Sequence, residues 1–212
     1  MLIHLRRSAI LVIIVTVFFG FVYAFAGTGV AQLLFKHQAD GSITANGSTL
    51  IGQNWSQTKC PGHPLGSCVF QGRPDDLGPY ADTNSKTPSP AGHPGDDPLV
   101  ANGVAGSSGA TNLGPRSAEL LAYTKILVAY WHARGVDPTP DLVTTSGSGI
   151  DPDISQQDAL VQIPMVSNAT GLSASVLKHL IISQTQGAEL GFMGTSYIDV
   201  LQLNEALVKL EK

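Results

Sequence analysis

Hydrophobic positions along the chain fall into two regimes. From Ser8 to Ala26 nearly every residue is apolar, and no Asp, Glu, Lys or Arg occurs between Ser8 and Phe35. An apolar run on that scale matches the roughly 20 residues a helix needs to cross a bilayer core, and it predicts a membrane span over about residues 9–30. Beyond residue 117 the apolar positions become periodic. Leu120, Leu121, Tyr123, Ile126, Leu127, Tyr130 and Trp131 recur at helical spacing until Gly135, which predicts an amphipathic helix from about Ala118 to Arg134. Asp141 to Thr144 suits a short strand. A second helix starts after Ser155, carries Leu160, Val161 and Ile163, and must break or kink at Pro164, which lacks an N–H. A third, capped by Ser173, runs through Val176, Leu177, Leu180, Ile181 and Ile182 towards Gly187. Leu190 to Gly194 predicts a glycine-punctuated turn or strand, Tyr197 to Val200 a strand, and Leu201 to Leu210 a terminal helix. The expected fold is α+β: one N-terminal transmembrane helix, then one helix-rich domain with short strands.

Between these regimes the pattern fades. Residues 75–116 are dominated by Gly, Pro, Ser, Asn and Asp, which predicts a long irregular excursion contributing little core. The expected organisation is therefore a stub and anchor over residues 1–35 and a single folded domain over 36–212.

Charge gives the arrangement a direction. Arg6 and Arg7 immediately precede the span, so the positive-inside rule puts the N-terminus in the cytoplasm and the domain outside. A cleaved signal peptide is the rival reading, because Ala24-Phe25-Ala26 resembles a cleavage site. The apolar run, however, exceeds the roughly 7–15 residues of a signal core. The domain holds ten basic against sixteen acidic residues, a formal charge of −6. That balance argues against nucleic acid and against docking on anionic lipid.

Candidate chemistry concentrates in Thr144 to Ser155. Gly147 and Gly149 permit positive φ and a sharp turn; Thr144, Thr145, Ser146 and Ser148 supply hydroxyls; Asp151 and Asp153 follow. Ser155 stands in an N-cap position with Asp158 three residues on, a capping-box spacing. A surface turn leading into a capped helix explains all of this, and an anion or a partner's polar surface is the functional alternative. Ser146, Gly147, Ser148 and Gly149 could face a nucleotide phosphate, but no lysine completes a phosphate-binding loop. Ser148 lacks the Gly-x-Ser-x-Gly frame of a hydrolase elbow, and His132 and His179 fall inside predicted helices, so no catalytic residue is assigned. Asp151 and Asp153 lack the further ligands of a calcium loop, and no metal site is assigned. Cys60 and Cys68 suit a disulfide in an oxidising exterior, with free thiols or a zinc site through His63 as alternatives. Asn46, Asn54 and Asn168 open glycosylation sequons, a pattern common by chance.

A set of stretches in order gives the chain a wider resemblance. They are the N-terminal span, Gly47–Gln53, Phe70-Gln71-Gly72-Arg73-Pro74, Thr111–Pro115, Asp141–Pro152, Gln162-Ile163-Pro164, Leu190–Gly194 and Val200–Asn204. Together they resemble the C subunit of the bacterial Kdp potassium-transporting ATPase. Asp153, Met165, Thr195 and Asp199 depart from that family's usual His, Arg, Glu and Asn. The resemblance implies a non-catalytic subunit of an ATP-driven potassium uptake complex in the cell membrane. Its partners would be a channel-like potassium-translocating subunit and a P-type ATPase subunit. It further implies stabilisation of the assembly, a chaperone-like effect that raises the ATPase subunit's affinity for ATP, and no firmly bound cofactor. Ser146–Gly149 is the implied nucleotide-contacting loop, and Asp151, Pro152 and Asn204 are candidate partner-facing positions. A free-standing, membrane-anchored extracytoplasmic ligand-binding protein is the alternative.

Overall fold

The computed structural model describes residues 2–53, 55–56, 58–74, 99, 108 and 110–211. Most of the predicted excursion, and the Asn54 of one sequon, lie outside the described residues. The chain divides into two compact units, Met1–Ala45 and Asn46–Lys212.

The first unit is the apolar helix and its exit. One helical run extends from Leu2 to Leu34, 33 residues with a mean hydropathy of 2.7 over its most apolar window. It comprises α1 (Leu2–Val17), a π-helical turn (Phe18–Tyr23) and α2 (Ala24–Leu34). At 1.5 Å per residue this run reaches about 50 Å, more than the roughly 30 Å of a hydrocarbon core. By length and composition it can cross a membrane. A short α3 (Lys36–Ala39) and β1 (Ile43–Thr44) follow, and the Gln32 amide donates to Asp40 at 3.0 Å.

The second unit opens with β2 (Gly47–Ser48) and builds its core from helices. Helix α4 (Ala118–His132) starts at Ser117, whose hydroxyl accepts from the N–H groups of Glu119 and Leu120. Its inward stripe is Tyr123, Leu127 and Trp131. Two short helices, α5 (Gln156–Val161) and α6 (Ile163–Thr170), divide at Gln162 as the proline at 164 demands. Helix α7 (Ala174–Gln184) buries Leu177, Leu180 and Ile181, and α8 (Val200–Leu210) buries Leu201, Leu203 and Leu207. Apart from Leu201, these residues meet Phe70, Leu142, Val166 and Ile198 in one apolar cluster. Leu99, from the excursion expected to add little core, is also buried there.

Three local expectations are revised. The strand expected at Asp141 to Thr144 is a 3-10 turn over Asp141–Val143. Pro140 enters it in helical geometry, and the adjacent Leu142 and Val143 are both buried, which strand alternation would forbid. The Leu142 carbonyl then accepts from the buried indole N–H of Trp131 at 2.9 Å. Helix α7 stops before Gly187 because Thr185 turns extended and its hydroxyl closes back on the Ile181 carbonyl. Gln186 instead bridges to Tyr197. Finally, β3 (Asp153–Ile154) pairs antiparallel with β4 (Ile198–Asp199), a two-residue strand too short to leave an alternating pattern.

Candidate functional site

The loop from Thr144 to Pro152 has an internal hydrogen-bond scheme. The hydroxyl of the buried Ser146 accepts from the Gly149 N–H at 2.9 Å and shares a hydrogen bond with the Ser148 hydroxyl at 3.1 Å. Ser148 in turn accepts from the Ile150 N–H at 3.3 Å. Only one of the two glycines needs its special conformation: Gly149 has φ 71°, whereas Gly147 lies outside the left-handed region, exposed with open space around it. Asp151 accepts from the N–H of Asp153 at 3.1 Å, and the Pro152 carbonyl accepts from Val200 N–H at 3.0 Å.

Three groups from distant parts of the chain brace this loop. The Gly52 N–H donates to the Ile150 carbonyl at 2.7 Å, and a Cβ on Gly52 would fall 2.5 Å from the Asp151 carbonyl oxygen. No other residue permits that approach without moving backbone. The Ser108 hydroxyl donates to the Ser148 carbonyl at 2.8 Å. Arg73 donates through Nε and Nη2 to the Thr144 carbonyl, at 3.4 and 3.3 Å, and through Nη2 to the Thr145 carbonyl at 3.0 Å. Its guanidinium also lies 3.9 Å from Asp141 and 3.8 Å from Asp151.

Arg73 is itself carried by a strap, Phe70 to Arg73, held by side-chain amides acting as a neighbouring strand would. The Phe70 N–H donates to Asn204 Oδ1 at 2.8 Å, and Asn204 Nδ2 returns a bond to the Phe70 carbonyl at 2.9 Å. One residue on, Gln71 N–H donates to Gln162 Oε1 at 2.8 Å, and Gln162 Nε2 donates back to the Gln71 carbonyl at 3.0 Å. Both amides are buried, so each uses its donor and acceptor faces where water is absent. The Gln71 side chain donates to the Gly66 carbonyl at 2.7 Å, inside the loop closed by a disulfide between Cys60 and Cys68. Phe70 anchors the strap in the core with no exposed surface.

The sequence-assigned positions thus fall in two places. Ser146, Gly147, Ser148, Gly149, Asp151 and Pro152 lie in one loop, in which Gly147 and Ser148 are exposed, Asp151 and Pro152 half-buried, and Ser146 and Gly149 buried. Asn204 is 1% exposed and turned inward onto Phe70. Arg73, Gln71 and Gln162 stood in stretches that carry the resemblance but were assigned no role from the sequence. Their signal was faint: an arginine held before a proline, and a glutamine at a helix break.

Next to the loop, Asp153 and Asp199 are cross-strand neighbours. Burial, and then the charges of Asp151 and Asp199, push the Asp153 carboxyl up to about 6. Asp199 is also raised, chiefly by burial, while its Oδ1 caps α8 by accepting from Gln202 N–H at 2.8 Å. Ser155 and Asp158 complete a reciprocal capping box at α5, and the Thr139 hydroxyl donates to the same Asp158 carboxylate.

A phosphate cradle needs N–H groups turned outward, whereas those of Gly149 and Ile150 are turned onto the loop's own hydroxyls. His132 and His179 lie exposed on α4 and α7. Among the described residues, no group of three or more His, Cys, Asp or Glu could hold a metal ion. What remains is a rigid polar loop with an exposed Gly147–Ser148 tip.

Anchor, domain and loop define a class: a single-span membrane protein with an α+β unit that presents a braced loop. The chain belongs to the KdpC family, described as K+-transporting ATPase, c chain, whose family model matches residues 5–209. It is 39% identical to a potassium-transporting ATPase KdpC subunit of Methylorubrum extorquens, with both chains covered in full. A KdpC subunit of Methylobacterium nodulans is 38% identical over 99% of this chain and 98% of its own. One from Bradyrhizobium diazoefficiens is 36% identical over 98% and 97%.

Proposed function

We propose that this chain is the accessory, non-catalytic subunit of an ATP-driven potassium uptake complex, alongside a channel-like translocating subunit and a P-type ATPase subunit. The observation that carries the reading is the family match over residues 5–209 combined with one helix, among the described residues, long and apolar enough to cross a membrane. ATP enters the chemistry through the partner ATPase, and this chain stabilises the assembly and raises the partner's affinity for nucleotide. The second unit lies outside the membrane. Arg6 and Arg7 at the start of the helix support that sidedness, as does a cystine in the domain, since such bridges persist in oxidising compartments.

The Ser146–Gly149 loop, with Asp151 and Pro152 beside it, is the surface that meets a partner. Its support is rigidity: three braces from distant residues hold a loop that makes no core of its own, so little ordering entropy is lost on binding. The exposed tip fits a contact to protein better than a grip on phosphate, for the reason given by its inward N–H groups.

Extraction of the full-length protein from its native membrane in mild detergent tests the complex. Co-purification of a P-type ATPase and a channel-like subunit is expected. Repeated recovery of the chain alone under gentle conditions would replace this reading with a free-standing anchored binding protein. In the recovered complex, Ser148→Tyr should raise the KM for ATP or lower subunit recovery; unchanged values would remove the loop from the interface.

A further inference from the structure

We infer that Arg73 is the positioning residue of the Ser146–Gly149 loop, an inference that rests on the reading of that loop as the partner-facing surface. The guanidinium sits where the chain leaves the core at Leu142 and Val143 and enters the loop. It gathers two consecutive backbone carbonyls, Thr144 and Thr145, into one planar fork. Two carboxylates flank it from opposite ends of the loop, Asp141 before and Asp151 after. One side chain therefore reaches both ends of a turn whose middle is held by the Ser146, Ser148 and Ser108 hydroxyls, the Gly149 N–H on the Ser146 carbonyl and the Gly52 N–H on the Ile150 carbonyl.

Arginine suits this place because its donors are rigid and coplanar. A lysine at 73 offers a point charge that satisfies a carboxylate, but it cannot hold two carbonyls in a fixed mutual orientation. With a side chain about one-fifth exposed, the fork is also partly sheltered from competing water. Pro74 follows immediately and restricts the Arg73 backbone to an extended conformation, so the side chain starts from a fixed direction.

The position of Arg73 is inherited from the strap behind it. Asn204 holds Phe70 from α8, Gln162 holds Gln71 from the α5–α6 junction, and the disulfide-closed loop holds the Gln71 side chain through Gly66. Helix packing on one side and the cystine loop on the other are transmitted through four residues to the loop entrance. The strap explains why a buried asparagine in the last helix and a glutamine at a helix break each exchange two hydrogen bonds with one short extended segment, Gln162 Nε2 donating also to the Asp158 carbonyl at 3.1 Å.

Backbone hydrogen exchange on the full-length protein in detergent, resolved by residue, tests this directly. The informative amides are Gly149 and Ile150, which donate to the Ser146 and Ser148 hydroxyls, with α8 amides as a control for global stability. Arg73→Ala is expected to speed exchange at Gly149 and Ile150 about tenfold or more with α8 unchanged, because loss of a charged donor to two carbonyls frees the loop locally. Arg73→Lys should fold and give an intermediate acceleration, and it carries the test if the alanine variant does not fold. Unchanged exchange at Gly149 and Ile150 in Arg73→Lys and in any folded Arg73→Ala protein would overturn the positioning role. So would acceleration matched equally in α8, which describes plain destabilisation. The same variants in the purified complex separate the two readings. A loosened loop with a raised KM for ATP or reduced partner recovery supports both. A loosened loop with assembly and KM unchanged leaves Arg73 as the positioning residue and removes the loop from the interface.

Discussion

Single side chains in this domain carry unusually specific jobs, and Asn204 is the clearest case. It lies buried in α8 and exchanges two hydrogen bonds with the Phe70 backbone. Asn204→Ala leaves a buried N–H and a buried carbonyl without partners, and unpaired groups of that kind each cost about 1–3 kcal/mol. Denaturant unfolding of the full-length protein should therefore show a loss of about 2–4 kcal/mol, large for one residue. Asp153 works in the opposite sense. Its folded-state pKa is raised from 3.8 to about 6, so between those values the native state binds more protons than the unfolded chain. Protonation favours the fold: stability from this group is highest below pH 4, falls as pH rises towards 6, and stays at the lower level beyond. Asp153→Asn should accordingly raise Tm at pH 8 and leave it nearly unchanged at pH 4. The group is partly exposed and screened by solvent, so the expected gain is modest, about 2–4 °C for a domain of this size. An equal shift at both pH values would reject the assignment.

At the scale of elements, the sequence was informative wherever a single helix face had to be apolar. Helix α4 was readable because Tyr123, Leu127 and Trp131 repeat at four-residue spacing over about two turns, and the α5–α6 break because a proline sits inside an apolar run. The Ser155–Asp158 box was readable because capping is local chemistry. The strap was not, since its partners lie 91 and 134 residues away and no local pattern announces that an amide will serve as a strand. The 3-10 turn at Asp141–Val143 was hidden for a related reason: its two buried residues are adjacent, and only the distant Trp131 indole explains why. The braced loop was thus visible as a string of residues while its supports were invisible. The cystine belongs to this level too. Closing so short a loop stabilises the domain by about 2–3 kcal/mol on the chain-entropy model. Replacing Cys60 and Cys68 by serine together should lower Tm by several degrees, and because Gln71 binds Gly66 within that loop, exchange at Phe70 and Gln71 should quicken before exchange in α7. Uniform quickening would mean that the cystine and the strap are not mechanically linked.

For the whole molecule, charge is the property that no single residue displays. An acidic excess of six on the unit beyond the span sets up a negative potential that accumulates cations near its surface and decays over a Debye length of about 10 Å at 0.1 M salt. If the domain stands beside the outer mouth of a potassium pathway, that potential raises the local K+ concentration without any binding site. Asp137, Glu189 and Glu211 are exposed and lie outside the loop and its braces. Replacing the three by Asn, Gln and Gln should leave assembly and maximal transport intact while raising the K+ concentration for half-maximal ATPase activity, by about twofold at 10 mM ionic strength. The difference should vanish near 0.2 M of a non-transported salt, where screening removes the field. A change that persists at high salt would indicate a local contact at one of these residues, and no change at low salt would place the domain away from the potassium entrance.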